Sequence, residues 1–466
     1  MFVPEDLLQT LRTWQRLSAG EVTRRMKISR ATLMRAVLAL GDKVVSRGKA
    51  RRTAYAARRA VRGNTMSIPL FRIDRAGAGT QVATIDATYP HGCAVTFQAT
   101  FDWPLIGDMR DGWFPSLPYA LDDMRPQGFL GRHFAQRNAD ILQVSDNPID
   151  WSEDDVLHAL SLLGADLPGN YILGEPAYRR FLADQQASPA FVDDVGMERV
   201  YLAQAIDALQ FGVAGSSAGG EFPKFTQRRL IDGAPTHVIV KFSGADDAPG
   251  TRRWADLLIC EHLALDTVAQ RLQIAAASSR CYQAGGRTFL EVQRFDRHGA
   301  HGRSGVCSWA ALNNALFALP GKPWIAGAVA LHQQALIDDE TLHAIARIWH
   351  FGQLIGNADM HDGNLAFQPG LVLAPVYDML PMLYAPVRGV ELPQRTFHPG
   401  LPLPAERAAW REAADAALVF WRRAALDCRI SDDFRRICGA NAETVQTLLD
   451  SPAAGVPYCG EQRPEL

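Results

Sequence analysis

Apolar residues recur at helical spacing from the start of the chain, at Leu7, Leu8, Leu11 and Trp14. The stretch LSAGEVTRRMKISRATLMRAVLAL then predicts two short helices. Ser18 caps the first, Glu21 stands in capping-box position, and Val22 and Met26 give the helix an apolar face. Ser29 caps the second, whose stripe is Leu33, Val37 and Leu40 and which Gly41 ends. VVSRGKARRTAYAARR reads as two strands around a basic Gly-Lys tip. Together these predict a winged helix-turn-helix over residues 1–63. Beyond it, TQVATIDA and CAVTFQAT alternate as strands do, while DVLHALSLLG, EPAYRRFLAD and ERVYLAQAIDAL read as helices. WFPSLPYALDDMRPQGFLGRHFA, rich in Pro, Gly and aromatics, predicts ordered loop and short helix. The strand HVIVKF, the helix WADLLICEHLALDTV, the strand TFLEVQ and the helical AERAAWREAADAALVFWRRAAL complete the pattern.

The 466 residues are 47% hydrophobic and 21% charged, enough for a sizeable core and for two to four domains. The net charge of −2 hides an asymmetry. Residues 1–63 hold 15 Lys/Arg against 4 Asp/Glu, and the remainder holds 33 against 46. A basic head on an acidic body predicts a polyanion partner for the head. The second helix offers Ser29, Arg30, Thr32 and Arg35 to phosphates and base edges, and the wing offers Arg47 and Lys49. The alternative is a helical docking domain with a solvated basic face. The seven Cys are scattered without a CxxC pair, which predicts free thiols in a reducing compartment. With no signal-peptide pattern and no run of 18 apolar residues, the expected location is cytoplasmic, away from the membrane.

Candidate chemistry gathers in GNADMHDGNLAF, residues 356–367. Asn364 follows Asp359 by five residues, the interval of the protein-kinase catalytic loop. There the Asp takes the proton of the attacking hydroxyl and the Asn ligates Mg²⁺. LAFQPGLVLAPVYDM then supplies strand, turn, strand and a second candidate metal ligand, Asp378. Upstream, Lys241 in HVIVKF suits ATP phosphates, Glu261 in the following helix suits Lys241, and Gln293, Arg294 and Phe295 suit an adenine hinge. The Gly/Ser-rich stretch of residues 212–225 before HVIVKF suits a phosphate loop, or simply a surface hairpin. Three other readings stay open. Asp359, His361 and Asp362 could bind a metal, GSSAG with His361 could form a hydrolase triad, and 356–364 could be a plain polar loop.

GVAGSSAGGEFPK, HVIVKF, EVQRFDR, LIGNADMHDGNLAF and LAPVYDMLP occur in the order of the HipA-type serine/threonine kinases, and residues 65–440 resemble that toxin family. With its basic head, the chain resembles the YjjJ-like branch. The resemblance implies an α+β, bilobal protein-kinase-like fold behind the N-terminal domain, with a mixed small lobe over residues 64–290 and a helical large lobe over 291–466. It implies ATP and Mg²⁺ as cofactors, Asp359 as catalytic base, and Asn364 and Asp378 as metal ligands. Val213, Ala214, Gly215, Ser216, Ser217 and Lys224 would form the phosphate loop, with Lys241 on the phosphates and Glu261 holding it. Gln293, Arg294 and Phe295 would line the adenine. It further implies a protein substrate such as an aminoacyl-tRNA synthetase, an antitoxin partner, and DNA bound through residues 1–63. The loop is longer than the family's AGxQxK form, and Gly212 stands where some members carry a modified Ser. Ser216 and Ser217 are then the candidates for self-phosphorylation. A small-molecule kinase of aminoglycoside-phosphotransferase type and a silent DNA-binding regulator are the rival readings.

Overall fold

The computed structural model describes residues 3–14, 16–187, 190–210, 222–319, 321–387 and 391–451. The head consists of α1 (Pro4–Thr13), β1 (Leu17–Ser18), α2 (Ala19–Met26), α3 (Arg30–Leu40), β2 (Val44–Arg47) and β3 (Ala54–Ala57), with an antiparallel sheet in the order β1-β3-β2. Local chemistry starts both of the paired helices. Ser18 Oγ accepts the Glu21 amide at 3.3 Å while Glu21 accepts the Ser18 amide at 2.7 Å, and Ser29 Oγ accepts the Thr32 amide at 3.1 Å. Leu7, Leu11, Val22, Leu33 and Leu40 close over Val44 and Tyr55. Two positions depart from the apolar pattern. Trp14 lies past the end of α1 under the Arg25 guanidinium, and Ala36 rather than Val37 completes the buried face of α3.

The head does not hang free. The outer face of its sheet, Val45, Ala54 and Ala56, packs on Ala94 and Trp113 of the next region. With both faces covered, β3 reads AYAA without polar alternation. At this seam buried Asp86 accepts Arg47 Nη2 at 2.6 Å and Arg58 Nη1 at 2.5 Å. Arg59 pairs with Asp154, Arg62 with Asp155, Arg16 with Asp108 and Arg52 with Asp111. Six of the head's cations thus bind the acidic body, so much of the charge asymmetry is intramolecular.

The middle region has β4 (Ile68–Ile73), β5 (Gly79–Ala87), β6 (Cys93–Phe97), β7 (Trp113–Phe114), α4 (Gly128–Leu142), α5 (Glu153–Leu163), β8 (Tyr171–Leu173), α6 (Glu175–Gln186) and α7 (Asp194–Gln210). Its antiparallel sheet runs β7-β6-β5-β4-β8. Leu70, Ile85 and Val95 pack with Val156 and Leu160 of α5, while Phe71 and Ile73 pack with Phe181 of α6. Alternation along β4 therefore feeds two different layers.

A second antiparallel sheet follows, ordered β11-β12-β10-β9, from β9 (Lys224–Ile231), β10 (Ala234–Phe242), β11 (Ser279–Ala284) and β12 (Arg287–Gln293), with α8 (Pro249–Thr267) between β10 and β11. Val238, Val240 and Phe242 pack with Tyr201 of α7. The intervening Lys241 consequently points the other way, toward α8. The rest comprises β13 (Arg297–His298), β14 (Gly302–Arg303), β15 (Cys307–Ser308), α9 (Trp309–Leu316), α10 (Trp324–Gln333), α11 (Asp339–Leu354), β16 (Ala366–Gln368), β17 (Val372–Leu373), α12 (Arg407–Leu426) and α13 (Asp432–Asp450). One continuous core joins Leu70 and Ile85 of the middle region to Trp309, Phe351, Trp421 and Phe434 of this helical part. No helix among the described residues is long and apolar enough to cross a membrane.

Candidate active site

Lys241 connects three elements. Its Nζ donates to both carboxylate oxygens of Glu261 on α8, at 2.7 Å each, and to Asp378 Oδ1 at 2.6 Å. Lys241 and Glu261 are buried, while the Asp378 side chain is a third exposed. Burial disfavours the Lys241 charge, but Asp378 and Glu261 outweigh it and raise the ammonium's pKa. Burial raises Glu261, against the pull of Lys241. Asp378 goes the other way: burial opposes its charge, yet Lys241 and Lys224 bring it down to about 2. Lys224 lies directly across from Lys241 in the β9–β10 register, so both cations share a face. Asp378 itself sits at φ +56°, a left-handed conformation that Asp tolerates better than most residues.

The polar loop starts at a helix stop. Gly356 adopts φ +70° after α11, and the Gly356 and Asn357 amides return to the Gln353 and Gly352 carbonyls at 3.1 and 2.8 Å. Asn357 then holds the loop: its Oδ1 accepts the Asp359 amide at 3.0 Å, and its Nδ2 faces the Asp378 carbonyl at 3.5 Å. Asn364 Nδ2 donates to the Asp359 carbonyl at 2.8 Å, which leaves its Oδ1 as the outward donor atom for a cation. Tyr377 hydroxyl donates to the Gly363 carbonyl at 2.5 Å, linking this loop to the segment that presents Asp378.

With this geometry in view, the comparisons with known proteins are specific. Residues 64–182 match the YjjJ-like toxin middle domain, and residues 216–447 match the HipA-like C-terminal domain. The chain is 36% identical over 440 residues to Toxin YjjJ of Escherichia coli (strain K12), covering 94% of this chain and 96% of that protein. The chain belongs to the YjjJ-like branch of the HipA-type family. HipA of Shewanella oneidensis MR-1, solved with HipB and its operator DNA, shares the fold with this HipA-type chain. The TM-score is 0.52 at 15% identity, covering 81% of this chain and 96% of that one. The mixed α+β architecture is accordingly that of HipA.

Several expected site residues of this HipA-type chain come together: Lys241, Glu261 and Asp378 in direct contact, and Asp359 with Asn364 on the adjoining loop. Phe295 packs on Tyr377 with ring centroids 5.8 Å apart, and Gln293 ends β12 exposed. Arg294 is placed differently. Its guanidinium turns into a buried cluster, pairing with Asp296 at 3.0 Å and Asp166 at 3.4 Å. The RFDR motif is thus a bracket: Asp296 also holds Arg297 at 2.7 Å and the Gly169 amide at 2.9 Å. Arg47 binds Asp86, whereas Arg30, Arg35 and Lys49 are exposed. Val213, Ala214, Gly215, Ser216 and Ser217 lie outside the described residues.

No cluster of three or more His, Cys, Asp or Glu suited to a metal exists among the described residues. Asp362 accepts from Asn313 at 3.0 Å, and His361 Nδ1 accepts the Gly363 amide at 3.0 Å, so both residues serve the loop's own shape. Sequence reasoning missed Asn357 and Tyr377. Asn two residues before Asp359 is an Asx-turn signal that could have been read. The Tyr377 contact, 14 residues from its partner, had no local sign.

Proposed function

We propose that this chain is a Mg-ATP-dependent protein serine/threonine kinase of HipA toxin type with its own DNA-binding domain. The observation that carries this reading is the triple contact of Lys241 with Glu261 and Asp378. A buried ammonium between a helix carboxylate and the acid beyond an Asp…Asn loop is the arrangement that phosphoryl transfer uses. In this reading Lys241 and Lys224 face the phosphates, Val213–Ser217 cover them, and Gln293 and Phe295 border the adenine. Asn364 would offer Oδ1 to Mg²⁺, and Asp378 its Oδ2, because its Oδ1 is held by Lys241. Two oxygen donors fit a hard cation. Mg-ATP, when bound, supplies the transferable phosphoryl group with its charge partly neutralised. Asp359 would orient the attacking hydroxyl and take its proton, with its backbone held by Asn357 and Asn364.

Residues 1–63 would act as a winged helix-turn-helix. Its α3 would carry Ser29, Arg30, Thr32 and Arg35 to DNA, with Lys49 at the wing tip. The remaining chain would divide into a middle region with the small lobe over 64–290 and a large lobe over 291–466. The Shewanella HipA was solved with HipB and operator DNA. An antitoxin partner here, a cytoplasmic location and an aminoacyl-tRNA synthetase as substrate follow from the same family reading. The test is incubation with γ-labelled ATP and cell lysate, then phosphoamino-acid analysis. Phosphoserine or phosphothreonine in a discrete protein is the expected result; label confined to small hydroxyl compounds would exclude it.

A further inference from the structure

A cavity of about 230 Å³ opens where α6, the β9–β10 hairpin and the β13–β14 turn meet. None of Lys241, Asp359, Asn364 and Asp378 lines it. Arg180, Arg228, Arg297 and Arg303 do, against Asp166 and Asp184. The acids are already engaged. Asp184 takes both Nη atoms of Arg228, at 3.0 and 2.6 Å, and Asp166 binds Arg297 at 2.7 Å. His237 also lines the cavity and is neutral, since burial lowers it to about 4.

Arg303 stands apart. It is 5% exposed, and among the described residues no carboxylate lies within ion-pair distance of it. Buried Arg229, Arg253, Arg297 and Lys241 each have such a partner. Arg303 Nη2 donates to the Ala165 carbonyl at 2.6 Å and its guanidinium lies over the Phe181 ring at 4.8 Å. Its buried Nη1 has no hydrogen-bond partner. Burying a guanidinium with no carboxylate in direct contact is costly, and Nη1 is left as a donor without an acceptor beside the cavity. Burial, reinforced by Arg297, lowers Arg303 to about 9, the direction an incoming anion would reverse. Arg180 is exposed at the rim, with no ion-pair partner among the described residues.

We propose that this cavity binds a small phosphate dianion, as inorganic phosphate or a compact phosphate monoester, held by Arg303 and Arg180. Four guanidinium groups against two carboxylates leave an excess of two positive charges, which a dianion matches. The bound anion would brace α6 to the hairpin that carries Lys241. The test is calorimetric titration of inorganic phosphate into the full chain at constant ionic strength, with acetate as control. The wild type should show saturable phosphate binding that acetate does not reproduce. Arg179→Met, exposed on α6 but outside the cavity, should bind like wild type; Arg180→Glu should weaken binding about tenfold or more, and Arg303→Met should abolish it. Absence of saturable binding, equal binding of acetate, or wild-type affinity in Arg180→Glu would overturn the proposal. Because Arg180 is exposed, Arg180→Glu decides the matter even if Arg303→Met fails to fold. Loss of binding in Lys224→Met with retention in Arg303→Met would move the phosphate to the active site.

Discussion

Lys241 is where single residues matter most, because three charges depend on one another there. Removing it takes from buried Glu261 the ammonium in direct contact with its carboxylate. Lys241→Met should therefore cost about 3 kcal/mol or more in urea unfolding, together with loss of phosphoryl transfer; unchanged stability would mean that Glu261 simply takes up a proton at little cost. Asp378 gives a pH signature. Its folded pKa, about 2, lies below its ordinary value of 3.8. Its contribution to stability is therefore whole above pH 4 and is lost as pH falls toward 2. The stability difference between wild type and Asp378→Asn should be level from pH 7 to about 5 and shrink between about 4 and 2. A difference constant across that window would show that Asp378 is not held as a depressed carboxylate. That Lys241, Glu261 and Asp378 would lie together was legible in the sequence, because the order of the HipA-type motifs sets their spacing. The pairing of Arg294 with Asp166 was not legible, because the two lie 128 residues apart, where no local pattern reaches.

At the scale of elements, the signals that local chemistry writes were readable. Ser18 with Glu21, Ser29 and the Gly356 stop each act within five residues, so capping rules reach them. The seam between head and body was not readable, since Arg47 and Asp86 are 39 residues apart. That seam separates two kinds of basic residue. Arg35 on α3 is exposed, whereas Arg47 on β2 is tied to Asp86. If α3 tracks a phosphate backbone, Arg35→Ala should lower the slope of log K against log salt by about 1 and leave thermal stability alone. Arg47→Ala should instead lower the melting temperature and leave that slope unchanged. Equal salt slopes for wild type and Arg35→Ala would remove α3 from the DNA interface.

For the molecule as a whole, the bulk charge pattern was read correctly in sign and too simply in meaning. The basic head was expected to face a polyanion, yet Arg16, Arg47, Arg52, Arg58, Arg59 and Arg62 face the body's own carboxylates. The continuous core from β4 to α13 likewise joins regions that the sequence presents as consecutive segments. Head, middle region and helical part are therefore mechanically connected, and the Asp296 bracket ties the middle region to the strand that leads to Phe295. The central claim is that this assembly positions Asp359 as the base of a kinase. The direct measurement is transfer of label from γ-labelled ATP to protein by wild type and by Asp359→Asn, with thermal unfolding of both. The expected result is a fall in transfer of about a hundredfold or more with melting temperatures alike. Undiminished transfer by a folded Asp359→Asn variant would contradict the account.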